Sequence, residues 1–122
     1  SEGQEVVVMA LTRNFKQTVV ERVNRDPAFA RALLDEATRL FLSGESETAR
    51  LILRDLVNAT IGFEGLARAV GAPPKSLHRM LSERGNPSMD NTAAIFCAVC
   101  KNLNVQIETT IVDAGNKKKA LA

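Results

Sequence analysis

The sequence has little cysteine, a single histidine and no long hydrophobic run. No apolar stretch approaches the ~20 residues that a membrane-spanning helix requires, so we expect a soluble protein. The two cysteines, Cys97 and Cys100, fall inside a helical pattern, which favours free thiols in the core of a cytoplasmic protein over a disulfide framework. One histidine and two cysteines do not supply the four ligands of a zinc site. No metal or other cofactor is therefore expected.

Catalytic patterns are also scarce. His78 is the only histidine available to a Ser-His-Asp or Cys-His arrangement, and no glycine-rich phosphate loop or pair of metal ligands offers another chemistry. A redox CxxC motif would open a helix after a strand, whereas Cys97 and Cys100 lie within one apolar helical stretch. The sequence therefore predicts a protein that is not an enzyme.

The composition of the 122 residues is typical of one folded domain, with 25% charged and 45% hydrophobic residues. We expect this domain to span residues 11–112. Residues 1–10 differ from the rest and are interpreted as a leader or an extended N-terminal segment, with nothing that argues for export. Residues 113–122 contain three lysines and little apolar content, which predicts a basic, flexible tail.

Helical periodicity dominates the chain and predicts an all-α fold of five to six short helices. Three helices are expected over residues 12–60: one from an N-cap at Thr12 to about Asn24, one that begins at Asp26 and Pro27, and one capped by Ser46 and stopped by Gly62. The second and third helices each have one apolar stripe, formed by Ala30, Leu33, Leu34, Ala37, Leu40 and Phe41 and by Ala49, Ile52, Leu53, Leu56 and Val57.

Residues 62–86 predict two short helices joined by a glycine turn, the arrangement of a helix-turn-helix. Leu66 and Ala67 lie on the first helix, which ends at Gly71, and the small Ala67 lets the second helix cross closely. The second helix begins near Pro74 and buries Leu77, Met80 and Leu81. Another helix is expected over residues 88–103, with Ala93, Phe96, Val99 and Leu103 on its apolar side.

The segment 105–112 alternates between apolar and polar residues and is rich in β-branched residues, which predicts one β-strand in a helical protein. A lone strand needs a partner for its N–H and C=O groups. We expect pairing with the same strand of a second protomer in a homodimer, with the extended segment 6–8 as the alternative. The residues that define this strand are Val105, Ile107, Thr109 and Ile111.

The order Leu66-Ala67, Gly71, then Pro74, Ser76-Leu77 and Arg79-Met80 resembles the Cro/repressor-like, or Xre-type, helix-turn-helix proteins. The wider sequence is similar to the addiction-module antidote proteins, the HigA-type antitoxins, over roughly residues 9–107. The resemblance implies a bacterial cytoplasmic repressor that binds double-stranded operator DNA, controls its own operon and neutralises a toxin. That toxin is usually a small, basic ribonuclease encoded beside the repressor.

In this family the second motif helix enters the major groove, so the resemblance assigns base contacts to Pro74, Lys75, His78 and Arg79. Lysine and arginine can donate to the O6 and N7 atoms of guanine. Phosphate contacts are expected from Ser76, Asn86 and Ser88. The chain departs from the family at Phe63, where a polar phosphate-binding residue is common; we expect Phe63 in the core.

Charge suggests a surface for the toxin. Residues 26–60 carry six acidic and four basic residues, whereas the basic residues gather later in the chain. A basic toxin would be attracted to the acids outside the apolar stripes, which are Asp35, Glu36, Glu45, Glu47 and Asp55. Two other functions remain open: a stand-alone repressor without a toxin, and a protein-interaction module that has lost DNA binding.

Overall fold

The computed structural model describes residues 16–115, and it confirms an all-helical fold over that part of the chain. The predicted cap at Thr12, the segment 1–10 and the lysines of the tail lie outside the described residues. Within residues 16–115, six helices follow one another: α1 (Lys16–Arg25), α2 (Pro27–Leu42), α3 (Ser46–Ala59), α4 (Gly62–Val70), α5 (Pro74–Met80) and α6 (Met89–Leu103).

The start of α2 is formed as the sequence predicts. The Asp26 carboxylate accepts a hydrogen bond from the Ala28 N–H at 3.1 Å, and Pro27 occupies the first helical turn. The first turn of a helix tolerates proline because an N–H group at that position would have no partner within the helix, so its absence costs no hydrogen bond. The turn therefore separates α1 from α2 within a single residue, and Arg22 of α1 lies over the Phe29 ring of α2 at 4.4 Å.

Two predicted helix boundaries, at Ser46 and at Gly62, are wrong. Ser46 is the first residue of α3 and not its cap, because the Glu45 carbonyl already accepts from the Ala49 N–H at 3.1 Å. Gly62 does not stop α3, which ends at Ala59. Gly62 has a φ of +75° and opens α4, while the Thr60 hydroxyl donates to the Leu56 carbonyl at the end of α3.

One core runs through all six helices. The predicted stripe of α3 is buried along its whole length, and the α2 stripe is buried except for the half-buried Leu40 and Phe41. α2 and α3 form the most extensive helix pair, and α4 packs on α3, α5 and α6. The largest fully buried side chains are Leu33, Ile52, Leu56, Leu66, Leu77, Leu81, Ile95, Val19, Val57 and Val99.

The buried side of α6 differs from the prediction. Ile95, Ala98 and Val99 face the core, whereas Ala93 and Cys97 are exposed. The expectation that both cysteines lie in the core is wrong for Cys97, because it sits about 200° around the helix from both Ile95 and Val99. Cys100 is half-buried, and burial, followed by the nearby Cys97, raises the pKa of its thiol. A raised pKa favours the unreactive thiol.

After Asn104, which ends α6 in the left-handed conformation, the chain has no regular secondary structure up to residue 113. Val105 is half-buried against α2, whereas Ile111 and Val112 are 93% and 72% exposed. No strand forms within residues 16–115 of the single chain. The predicted strand pairing requires a second protomer and stays a prediction.

Candidate nucleic-acid interface

The helices α4 and α5 pack together through a tight turn at Gly71. The Gly71 N–H donates to the Ala67 carbonyl at 2.9 Å, and the Ala72 N–H donates to the same carbonyl at 3.3 Å. Gly71 has a φ of +74°, a conformation that a residue without a Cβ adopts at little cost. The predicted role of this glycine as the end of α4 is therefore confirmed.

The side of α5 that faces the protein is apolar. Leu77 and the adjoining Leu81 are each 1% exposed, and on α4 Phe63 and Leu66 are buried beside them in the same core. The expectation that Phe63 is a core residue is confirmed. A helix of seven residues has too few hydrogen bonds to be stable by itself, so this packing holds α5 in place.

The opposite side of α5 carries Lys75, His78 and Arg79, and all three are exposed. We call these three residues the outer face of α5. Their spacing of three and four residues places them on one side of the helix. Pro74 and Ser76 are half-buried at its start, and α5 contains no acidic residue. The outer face therefore presents a group of hydrogen-bond donors to solvent.

His78 makes a contact that the sequence did not predict. Its ring stacks on the Phe63 ring, with centroids 3.8 Å apart and planes inclined by 18°. Phe63 lies at the start of α4, so the stack connects α4 to α5 at the edge of the core. The stack holds the imidazole in one plane, and His78 as a residue remains exposed.

The loop after α5 is held by a residue from a distant part of the sequence. Arg50 of α3 donates through Nε to the Ser82 carbonyl at 3.1 Å and through Nη2 to the Glu83 carbonyl at 3.0 Å. A guanidinium suits this role because its donors are arranged in a rigid fork. No local pattern marks Arg50, since its partners lie 32 and 33 residues further along the chain.

Gly85 allows this loop to turn back against the end of α5. A Cβ at position 85 would lie 2.2 Å from the Met80 carbonyl oxygen and 2.6 Å from that of Arg79. Both neighbours are backbone atoms that cannot move aside independently. Beyond Gly85, Asn86 and Ser88 are exposed, and the Ser88 hydroxyl caps α6 by accepting from the Asn91 N–H at 3.1 Å. Of the predicted phosphate-contacting residues, Asn86 and Ser88 thus lie on the loop that Arg50 holds, whereas Ser76 lies in α5.

We expect the Arg50→Ala substitution to loosen this loop and to lower the free energy of unfolding by ~1.5 kcal/mol, since it removes two hydrogen bonds to a charged group. Arg50→Lys should give a smaller loss, because the lysine ammonium can still donate to one of the two carbonyls. Urea denaturation measures the stability, and hydrogen exchange should accelerate in residues 82–88. Arg31→Ala, at an exposed arginine of α2, is the control. Equal effects at both positions would contradict the role of Arg50.

The acidic surface predicted for a toxin is smaller than expected. Asp35, Glu45 and Glu47 are exposed, but Glu36 and Asp55 are buried, at 8% and 6% exposure. The prediction that these two acids lie outside the buried faces is wrong. α2 packs against α1 as well as α3, which widens its buried side, and the Glu36 carboxylate is paired with Arg39.

Within residues 16–115, no helix has the length and apolar character needed to cross a bilayer, and no three His, Cys, Asp or Glu side chains are grouped to hold a metal ion. Comparisons of the chain with family models, with curated proteins and with solved structures find no match. The assignment of a function therefore rests on the residues of the α4–α5 pair and on the sequence resemblance they carry.

Proposed function

We propose that this protein is a sequence-specific DNA-binding repressor in which α4 and α5 form a helix-turn-helix and α5 enters the major groove. The observation that carries the proposal is the two-sided character of α5. Leu77 anchors its inner side in the core, and Lys75, His78 and Arg79 are exposed together on its outer face. Rigid placement of donors on a surface helix is what base recognition requires.

Each residue predicted to contact DNA has a role in the proposal. Arg79 and Lys75 donate to the O6 and N7 acceptors of guanine, while Pro74 and His78 contact neighbouring bases. Ser76 donates to a phosphate on one side of the groove, and Asn86 and Ser88 donate to phosphates on the other. The capping bond uses Ser88 as an acceptor, which leaves its hydroxyl proton free to donate.

The length of α5 argues for two copies on the operator. Seven residues extend over ~10 Å at 1.5 Å per residue, which corresponds to about three base pairs at ~3.4 Å each. One copy therefore specifies a short half-site. A homodimer on two half-sites about one helical turn apart would supply the specificity of a repressor.

Toxin neutralisation is the part of the proposal that only the resemblance supports. Its surface is now limited to Asp35, Glu45 and Glu47, which lie along α2 and at the start of α3. Acids at the start of a helix are also expected from the helix dipole. A stand-alone repressor has the same DNA-contacting residues and remains the alternative.

Selection from a randomised duplex library tests DNA binding directly. We expect enrichment of an inverted repeat with half-site centres about 10 base pairs apart, and an affinity that falls steeply as salt rises because phosphate contacts release counterions. A scrambled duplex of equal length is the control. Failure to enrich any sequence, together with binding that does not respond to salt, would leave the protein-interaction module as the better interpretation.

A further inference from the structure

An apolar face on α6 and the end of α2 lies open to solvent. Met89 is 85% exposed and Leu42 65% exposed, and Leu42 follows Phe41, whose ring centroid lies 5.9 Å from that of Phe96. Met89, Phe41 and Phe96 also line a cleft of about 240 Å³. The exposed Met89 therefore adjoins an apolar cleft, and a contiguous apolar area of this kind is a candidate interaction surface.

The same face continues along α6 at helical spacing. Met89, Ala93 and Cys97 are exposed at intervals of four residues, so they form one row on the outer side of the helix. Exposed charges flank the two ends of the row: Asp90 beside Met89, and Lys101 one turn beyond Cys97. The middle of this face is thus apolar, with one negative and one positive end.

This distribution of apolar and charged residues along α6 is self-complementary. If α6 of a second copy lies antiparallel with a two-fold axis between Ala93 and Cys97, each Ala93 faces the other copy's Cys97. Each Asp90 then lies close to the other copy's Lys101, on both sides of the axis, because a two-fold contact repeats every pair. The parallel arrangement of the two helices is disfavoured, because it would place like charges together.

We infer that a second copy of this chain covers this face, with α6 packed antiparallel against α6 of the partner. The inference rests on the proposed function for the need of two copies, and it names the surface that joins them. It differs from strand pairing through residues 105–112. In the antiparallel arrangement the two Leu103 residues lie ~24 Å apart along the helices. The segments 105–112 of the two copies therefore begin too far apart to pair directly after α6.

Sedimentation equilibrium without DNA tests the inference. Ala93→Glu buries two like charges at the centre of the contact and should raise the dissociation constant of the dimer at least ten-fold. Ile111→Glu should leave it unchanged, because residue 111 lies beyond α6 and outside this contact. Circular dichroism checks that both variants keep their helices, which is expected because both positions are exposed in the single chain.

A charge exchange makes the test specific. Asp90→Lys and Lys101→Asp should each weaken the dimer, and together they should restore it, since the pair is then reversed on both sides of the axis. A wild-type chain that stays monomeric, a dimer insensitive to Ala93→Glu, or a dimer broken by Ile111→Glu would each overturn the inference. A monomer that still enriches one half-site would leave the proposed DNA binding intact, so the two failures are distinguishable.

Discussion

The Leu77→Ala substitution is expected to lower the free energy of unfolding by about 2–5 kcal/mol, the range for truncating a fully buried leucine. Leu77 is 1% exposed and is the buried residue of the seven-residue α5. Its loss removes both apolar contact area and the main attachment of the helix to Leu66 and the rest of the core. We therefore expect DNA binding to fall even under conditions in which most of the chain remains folded.

Urea denaturation followed by circular dichroism gives the stability, and operator titration gives the binding. Ile111→Ala is the matched control, since it also removes apolar atoms but at a position 93% exposed, where surface substitutions change stability by less than about 0.5 kcal/mol. If Leu77→Ala cost no more than the control, α5 would not be anchored through this side chain.

The Arg79→Ala substitution should weaken binding to the selected operator by ~1–3 kcal/mol, because a guanidinium that donates two hydrogen bonds to guanine discriminates against other bases by that amount. Random DNA should lose much less affinity. Arg79→Lys should keep the charge but not the two-pronged geometry, so it should restore binding to random DNA more than binding to the operator.

Arg84→Ala serves as the control for lost charge, since Arg84 is exposed in the loop five residues beyond Arg79. Competition titrations at one salt concentration, with operator and scrambled duplex, separate the two effects. An equal loss on both duplexes for Arg79→Ala would indicate a phosphate contact, and the base-contacting role assigned to Arg79 would be wrong.

Features that depend on near neighbours in the chain were predictable from the sequence. Asp26 and Pro27 start α2 through one side-chain bond and one fixed φ, and Gly71 ends α4 because the turn needs a positive φ. The stripes of α2 and α3 follow from the helical period, since each helix has a clear polar side. The face of α5 was found for the same reason.

Two kinds of feature were not predictable from the sequence: contacts between distant parts of the chain, and the buried side of a helix whose pattern does not distinguish its sides. α6 is apolar over most of its circumference, so periodicity did not distinguish the exposed Cys97 from the buried Ile95 and Ala98. Glu36 and Asp55 are charged residues on helices that pack on more than one side, and charge alone suggested exposure. Arg50 bonds to a loop more than 30 residues away. The predicted strand of residues 105–112 requires a second protomer and stays a prediction.

The bonds from Arg50 to the loop after α5 have a consequence for modularity. Here the segment from α4 to the loop takes part of its shape from α3, through the Arg50 guanidinium and through the core shared with Leu53 and Leu56. A graft of residues 62–88 would lose that support, so a working chimera has to carry α3 with it.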